Sequence, residues 1–351
     1  MPAFDSIGDQ KKFLQRLTAT LTSSKIETLL SELPVASELE YQFDEDNPKK
    51  NWTPGKLHWI PIGRKRGNAG QVALAKRAIA PIAERLINGM EAIVELHRRR
   101  EIDKANGHNC PPPQSPRAAV QRYFGLPPLN QLPMASEETR KVARELAKNL
   151  LLKLDTHKAE KEFSIQIRDK GIGQTPGKMH SSLLSLSSSD KGDKPYLIGV
   201  FGQGGSSTYR ASEYSWVISR RASDQADGDD GLGWTIVKHI HPKGRRDHYY
   251  AYLAMDPEGK VPFLSGAAAD VIGLKHGTWF CHVSYDFGPS RAAITRSLYQ
   301  QLNHVLYDPV YPFDTEIAGT EATIYGNGYR LSNMKPESKD LDKTFDQLLD
   351  R

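Results

Sequence analysis

The chain has 351 residues, 38% of them hydrophobic, which is enough for one large domain or two ordinary domains with a buried core. Its formal net charge of +5 permits nucleic acid as a partner without requiring it. Two cysteines exclude a disulfide framework and favour a reducing cytoplasm. We expect no signal peptide and no membrane span, because no apolar run approaches the roughly 20 residues that a span needs.

The N-terminal part of the chain is predicted to be helical. In residues 1–45, leucine and isoleucine recur at the spacing of an amphipathic helix. Residues 46–70 are polar and rich in turn formers. A helix is predicted over 71–100, and Pro81 within it indicates a kink or a fresh start, because proline cannot donate a backbone hydrogen bond.

Prolines dominate residues 101–135 and predict a loop-rich insertion without regular structure. A further helix is predicted over 136–156. Ser136 can cap its N-terminus, and an apolar stripe follows at helical spacing: Val142, Leu146, Leu150 and Leu154.

The second half of the chain favours strands. Apolar and polar residues alternate from Phe163 to Arg168, the pattern of a half-buried strand. Four more strands are predicted at 214–221, 234–240, 249–255 and 278–285, with Trp216 and Trp234 in the core. Helices followed by strands favour an α+β fold, a two-layer sandwich with a mixed, mostly antiparallel sheet and helices on one face. The polar tail after residue 336 is expected to end in a short helix at 341–349.

The helix over 71–100 carries the first chemical signal. Residues three and four apart share a helix face, so Glu84, Asn88, Glu91 and Glu95 form one polar stripe. Beside it runs an apolar stripe by which the helix can dock: Ala83, Ile87, Met90 and Val94. An amide oxygen suits Mg²⁺, and a carboxylate one turn away can take a proton from water. The alternative interpretation is the solvated face of an ordinary amphipathic helix.

A second signal follows the strand at 163–168. Asp169 stands at the strand end, and Gly171 and Gly173 permit backbone conformations closed to other residues. A carboxylate at a pocket floor can accept a hydrogen bond from an exocyclic amine such as that of adenine. A simple tight turn remains the alternative. An EF-hand is excluded because the later oxygen ligands are absent.

A third signal is the glycine-rich stretch that begins at Gly199 and leads into Ser206. Backbone N–H groups at a helix start attract phosphate, although a flexible linker is the alternative. Neither a Walker A loop nor the Rossmann pattern fits this stretch.

Three histidines, His239, His241 and His248, lie close in the sequence, but no cysteine or carboxylate accompanies them, so we do not predict a metal site there.

Together these signals, in this order, resemble the GHKL (Bergerat-fold) ATPases, nearer to the gyrase B, MutL, MORC and heat-shock chaperone branches than to sensor histidine kinases. The resemblance implies that Glu84 is the general base and that Asn88 helps to hold Mg²⁺, with Glu91 in the acid-alanine pair that often follows. It also implies that Asp169 reads adenine, with Thr278 supporting it through water. The remaining residues implied to bind the nucleotide are Gly171, Gly173, Gly199, Gly202, Gln203, Gly204, Gly205 and Ser206.

The resemblance also divides the chain. It predicts an N-terminal helical extension at 1–69 and a Bergerat ATP-binding domain at 70–285. Within that domain, 101–135 would be an insertion and 175–205 the ATP lid. Residues 286–351 would be an extension or the start of a following domain.

The implied function is an ATPase whose nucleotide state drives lid closure and dimerisation, with ATP and Mg²⁺ bound. DNA processing or DNA-directed defence is the leading context. A chaperone-like or scaffold module that clamps protein partners is the alternative, and a nucleotide-independent interaction domain is the third. The lysine that touches the terminal phosphate in gyrase-like members is not assigned; the candidates are Lys335, Lys339 and Lys343.

Overall fold

A computed structural model describes residues 6–37, 43–70, 72, 77–186, 194–198, 207–241 and 248–333. Its centre is one large sheet. The strands of this sheet are β1 (His58–Pro61), β2 (Leu150–His157), β3 (Glu162–Asp169), β4 (Tyr214–Arg220), β5 (Leu232–Ile240), β6 (Tyr249–Ala254), β7 (Phe263–Leu264), β8 (Gly277–Val283), β9 (Phe313–Ile317) and β10 (Thr320–Ile324). They lie in the order β1-β6-β5-β4-β8-β3-β2-β9-β10, and β7 pairs with β5.

The sheet is mostly antiparallel. Of its named strand pairs, β2–β9 is parallel and the others are antiparallel. The described α-helices are α1 (Ile7–Thr18), α2 (Ser23–Glu32), α3 (Ile79–Ala105), α4 (Pro116–Phe124), α5 (Glu137–Ala147), α6 (Ser207–Arg210), α7 (Ile294–Val305) and α8 (Gly326–Asn333). This arrangement confirms the predicted α+β class.

Both faces of the sheet carry apolar side chains. On one face, α3, α4, α5 and α7 form a core with the inward residues of β2 and β3, such as Leu152 and Ile167. On the other face, α1 and α2 cover the indoles of Trp216 and Trp234. Side chains alternate along a strand, so Val217 of β4 is buried on the first face while Trp216 is buried on the second. The main helices therefore share one face, and the N-terminal pair shields the other.

The prediction of a helix over 136–156 is wrong in its second half. Ser136 caps α5 as expected by accepting a hydrogen bond from the Thr139 backbone N–H. The helix ends at Ala147, however, and residues 150–157 form β2. Leu150, Leu152 and Leu154 are buried at a period of two and pair with β3 in a hairpin. Because Leu150 and Leu154 are also one helical turn apart, the sequence pattern fitted both structures.

The prolines of 101–135 do not exclude helices, contrary to the prediction. Helix α3 continues to Ala105, and α4 follows at Pro116–Phe124. Ser115 caps α4 by accepting from the Ala118 N–H, and Pro116 occupies the first helical position, which needs no N–H partner. A 3-10 turn follows at Leu129–Met134. These segments bury residues such as Val120 and Leu129 in the core beside α3.

Of two features in the first hundred residues, the structure corrects one prediction and confirms the other. Strand β1 lies within the segment predicted to be turns, and it pairs with β6. Helix α3 starts at Ile79, so Pro81 stands in its first turn and the predicted fresh start is confirmed.

Strands β9 and β10 come from the predicted C-terminal extension and join the same sheet through β2. The predicted domain boundaries stay predictions.

Candidate functional site

Helix α3 carries the predicted acid and amide beside the sheet. Ala83, Met90 and Val94 of its apolar stripe are buried, as expected. Glu84 and Asn88 on the neighbouring stripe are partly exposed. Among the described residues, the Glu84 carboxylate makes no hydrogen bond. The helix thus docks by one side and holds Glu84 and Asn88 along the rim.

Two glycines allow close packing around α3: Gly89 of the helix lies against β2, and Gly171 of the turn after β3 lies against the helix backbone. A Cβ on Gly89 would lie 2.6 Å from Cδ1 of Leu150, and a Cβ on Gly171 would lie 2.5 Å from the backbone carbon of Ala92. The backbone N–H of Ile172 donates to the carbonyl of Ala92 at 2.9 Å. The loop that follows Asp169 therefore contacts α3 at a point between Asn88 and Glu95. Gly89 was not singled out from the sequence; a glycine inside an amphipathic helix is the signal that could have indicated close packing there.

This contact predicts that Gly171→Ala destabilises the fold. The added methyl would collide with the α3 backbone, so the unfolding free energy should fall by about 1–3 kcal/mol, as for other overpacked sites. Chemical denaturation measures the effect. Gly177→Ala is the matched control, because a Cβ there meets no atom of the described residues within 4 Å. Equal stability of the two variants would contradict the close approach.

Asp169, at the end of β3, is 5% exposed. Its Oδ1 accepts hydrogen bonds from the backbone N–H groups of Gly171 at 2.8 Å and Thr278 at 3.3 Å. Its Oδ2 accepts none from the described residues. One oxygen is therefore fixed by the backbone, and the other remains as an acceptor for a ligand donor.

The pKa of Asp169 reflects this setting. Burial raises it to about 7, although the hydrogen bonds from Gly171 and Thr278 and the charge of Arg168 act in the opposite direction. Near neutral pH the group is therefore divided between its acid and its carboxylate. A donor that hydrogen-bonds Oδ2 would favour the carboxylate.

Ser219 and Gln174, which support Thr278 beside Asp169, were not singled out from the sequence. The Ser219 hydroxyl bonds the Thr278 hydroxyl at 3.0 Å and accepts from the Gln174 N–H at 2.9 Å. A Cβ on Gly277, whose φ is +105°, would lie 2.1 Å from the carbonyl oxygen of Asp169. Thr278 thus contacts Asp169 through its backbone N–H, while its hydroxyl faces Ser219.

Gly173 is also confined by its surroundings. Its φ is +64°, and a Cβ would lie 1.8 Å from the carbonyl oxygen of Arg220. The Arg221 guanidinium donates to the Gly173 carbonyl at 3.0 Å. Glycine is therefore required at this position by both conformation and space. The turn is part of the packed structure between β3 and β4.

The two remaining acids of the polar stripe on α3, Glu91 and Glu95, bind a segment that precedes the glycine-rich stretch. Glu91, which is 5% exposed, accepts a hydrogen bond from the Ile198 N–H at 2.7 Å. Glu95 accepts from Lys194 at 3.0 Å and from the Tyr196 hydroxyl at 2.9 Å. Burial raises the pKa of Glu95, but Lys194 and Tyr196 outweigh it, so the net shift is downward. These acids fasten residues 194–198 to the helix.

The predicted lid is only partly described. Within 175–186, Met179 and Leu184 are fully buried against the sheet, so this part belongs to the core. The predicted nucleotide residues Gly199, Gly202, Gln203, Gly204, Gly205 and Ser206 lie outside the described residues. So do the candidate lysines Lys335, Lys339 and Lys343 and the short helix predicted at 341–349.

Arg85 links α3 to the residues that follow the glycine-rich stretch. Its Nε donates to the Thr208 hydroxyl at 3.1 Å, and its Cζ lies 4.1 Å from the Phe280 ring centroid. Its Nη2 is buried and has no hydrogen-bond partner among the described residues. Sequence reasoning overlooked Arg85 because a single arginine between two helix stripes carries no pattern.

The sequence has three basic clusters, at 64–66, 98–100 and 245–246, and the third lies outside the described residues. Four arginines of the first two clusters contact other parts of the protein. Arg98 and Arg99 pair with Glu101 and Glu95, and Arg100 pairs with Asp224. Arg64 donates to backbone carbonyls of residues 257 and 258. These contacts favour the interpretation of structural and solvated charges over a nucleic-acid groove.

No protein-family model matches this chain, and no curated protein is detectably similar to it in sequence. No helix within the described ranges combines the length and apolar character needed to cross a membrane.

Proposed function

We propose that the chain binds ATP beside Asp169 and hydrolyses it, and that the bound nucleotide drives lid closure and dimerisation. The observation that carries the proposal is the Asp169 site. Its Oδ1 accepts hydrogen bonds from two backbone N–H groups, and its Oδ2 accepts none from the described residues. The turn after Asp169 is hydrogen-bonded to the α3 backbone. In this arrangement Oδ2 is suited to accept a hydrogen bond from the exocyclic amine of adenine.

The residues of α3 fit the phosphate end of such a ligand. Asn88 would contribute its amide oxygen to Mg²⁺, which neutralises phosphate charge when bound. Glu84 stands one turn before Asn88, is partly exposed and makes no hydrogen bond among the described residues. It would take the proton from an attacking water.

The acids that hold residues 194–198 suggest how nucleotide and lid communicate. Glu91 and Glu95 connect this segment to the same helix that carries Glu84 and Asn88. A ligand that binds the closed lid more tightly than the open lid shifts the population toward the closed state. Homodimerisation would follow if lid closure creates the surface through which two copies of the chain associate.

Nucleotide titration by calorimetry tests the proposal. We expect Mg²⁺-dependent binding of ATP, with weaker binding of ITP by about 10- to 100-fold. ITP carries a carbonyl oxygen where ATP carries the amine. At pH 8, where Asp169 is mainly the carboxylate, ITP therefore cannot donate to Asp169 and places two acceptors face to face. Equal binding of ATP and ITP would contradict the role of Asp169, and binding of neither would contradict the proposed nucleotide site.

The raised pKa of Asp169 predicts pH-dependent affinity. Binding an amine donor favours the carboxylate, so binding releases a proton and weakens as pH falls below about 7. We expect the Kd for adenosine to be roughly tenfold higher at pH 6 than at pH 8. Adenosine is the suitable probe because none of its groups titrates in that interval. A Kd that stays constant would show that the carboxyl does not bind the base.

The net charge of +5 keeps DNA processing as the leading proposed context, although the ion pairs of Arg98, Arg99 and Arg100 do not favour a nucleic-acid groove at that cluster. Clamping of a protein partner stays the alternative. DNA-stimulated turnover that weakens steeply with salt would support the first. Turnover that ignores DNA and responds to a protein partner would support the second.

A further inference from the structure

Three histidines converge at the end of the β5–β6 hairpin. His239 pairs across the hairpin with Tyr250, and its ring stacks on the Tyr250 ring at 4.4 Å between centroids. His241 lies two residues further on, and His248 lies two residues before Tyr250. Because residues two apart in a strand face the same side, all three imidazoles lie on one face. The hairpin register, which the sequence alone did not reveal, supplies the third histidine.

The ring nitrogens are already close. Nε2 of His239 lies 2.7 Å from Nδ1 of His248, and Nε2 of His241 lies 3.1 Å from Nδ1 of His239. One nitrogen from each ring can be chosen so that all three lie within 4.8 Å of one another. Around a tetrahedral Zn²⁺ with bonds of about 2.0–2.1 Å, ligand nitrogens are separated by about 3.3 Å. Small side-chain rotations would reach that spacing, and His241 and His248 are exposed and able to rotate.

A cavity of about 310 Å³ adjoins this cluster. Its walls include His239 and His241 together with Arg210, Glu213 and Lys238. None of its lining residues belongs to the Asp169 site. An ion held by the three imidazoles would therefore border a space with charged and polar walls.

We propose that His239, His241 and His248 form a binding site for a divalent transition-metal ion, Zn²⁺ in the first instance, with its fourth coordination position open toward the cavity. Three imidazoles and no thiolate suit Zn²⁺, Cu²⁺, Ni²⁺ and Co²⁺, whereas Mg²⁺ prefers oxygen ligands. Three protein ligands with an exchangeable water are the arrangement of open zinc sites. This site is independent of the proposed nucleotide site and requires none of its residues.

The test is a Zn²⁺ titration of metal-free protein prepared without a polyhistidine tag, with Mg²⁺ in excess. We expect one equivalent of Zn²⁺ to bind, and Co²⁺ to give the strong visible absorption of tetrahedral coordination. His241→Ala and His248→Ala should each weaken Zn²⁺ binding by more than about 100-fold and abolish the Co²⁺ spectrum. Both side chains are exposed, so the variants should keep the circular dichroism of the wild type.

His304→Ala is the matched control, because it removes an exposed imidazole on α7 that is outside the cluster. It should leave Zn²⁺ binding and the Co²⁺ spectrum unchanged. Two results would overturn the proposal: a wild type that binds no stoichiometric Zn²⁺, or folded His241→Ala and His248→Ala variants that bind it as tightly as the His304→Ala control.

Discussion

Glu84→Gln should bind ATP as the wild type does and hydrolyse it about 100- to 10,000-fold more slowly, the usual contribution of a general base. Glutamine keeps the size and the hydrogen-bonding capacity of the side chain but accepts no proton from water. The carboxylate is partly exposed and makes no hydrogen bond among the described residues, so the substitution removes no described contact. Steady-state turnover and calorimetric ATP binding, measured on the same preparation, separate hydrolysis from affinity.

A matched control for Glu84→Gln is Glu138→Gln, which removes the same charge from an exposed position in the first turn of α5. This variant should hydrolyse ATP at the wild-type rate. Near-normal turnover by Glu84→Gln, or equal losses in both variants, would rule out Glu84 as the base. If the wild type binds ATP and does not hydrolyse it, the proposed ATPase activity is wrong, and only the proposed nucleotide-binding switch stands.

Asp169→Asn should weaken ATP binding by about 10- to 100-fold, the worth of a hydrogen bond to a charged group. The asparagine Oδ1 can still accept from the Gly171 and Thr278 N–H groups, which leaves Nδ2 at the former position of Oδ2. An amide N–H₂ opposes the adenine amine and can donate to the carbonyl of ITP. The substitution should therefore lower ATP affinity and raise ITP affinity, an exchange that simple damage to the site would not produce.

As pH rises, the contribution of Asp169 to the free energy of unfolding should fall, whereas its contribution to ATP affinity should rise. The folded pKa of Asp169 is raised above the unfolded value, so between about pH 4 and pH 7 the folded state holds more protons, and this group makes the unfolding free energy fall as pH rises. Asp169→Asn removes the ionisation. At pH 8 its midpoint of thermal unfolding should equal or exceed that of the wild type, and a clear decrease would show that the carboxylate is needed for folding.

Much of the element order follows from local pattern. Helical spacing of Leu14, Leu17, Ile26 and Leu29 predicted α1 and α2, and all four are buried. Alternation predicted β3, and the acid followed by glycines marked the turn that ends it. Local pattern failed where it was ambiguous: the leucines of 150–154 fit a helix and a strand equally, and pairing with β3 decided between them.

Local sequence patterns identify residues that can serve a site: a carboxylate and an amide one helical turn apart, an acid at a strand end, and glycines where the backbone must bend. Which of these residues come into contact depends on the tertiary structure. The Thr278 N–H that reaches Asp169 is 109 positions away in the chain, and Gly171 contacts α3 because β3 packs against that helix. It also brought His248 to His239 and His241. Such contacts depend on strand order and register, which are set by burial over the whole sheet and leave no local pattern.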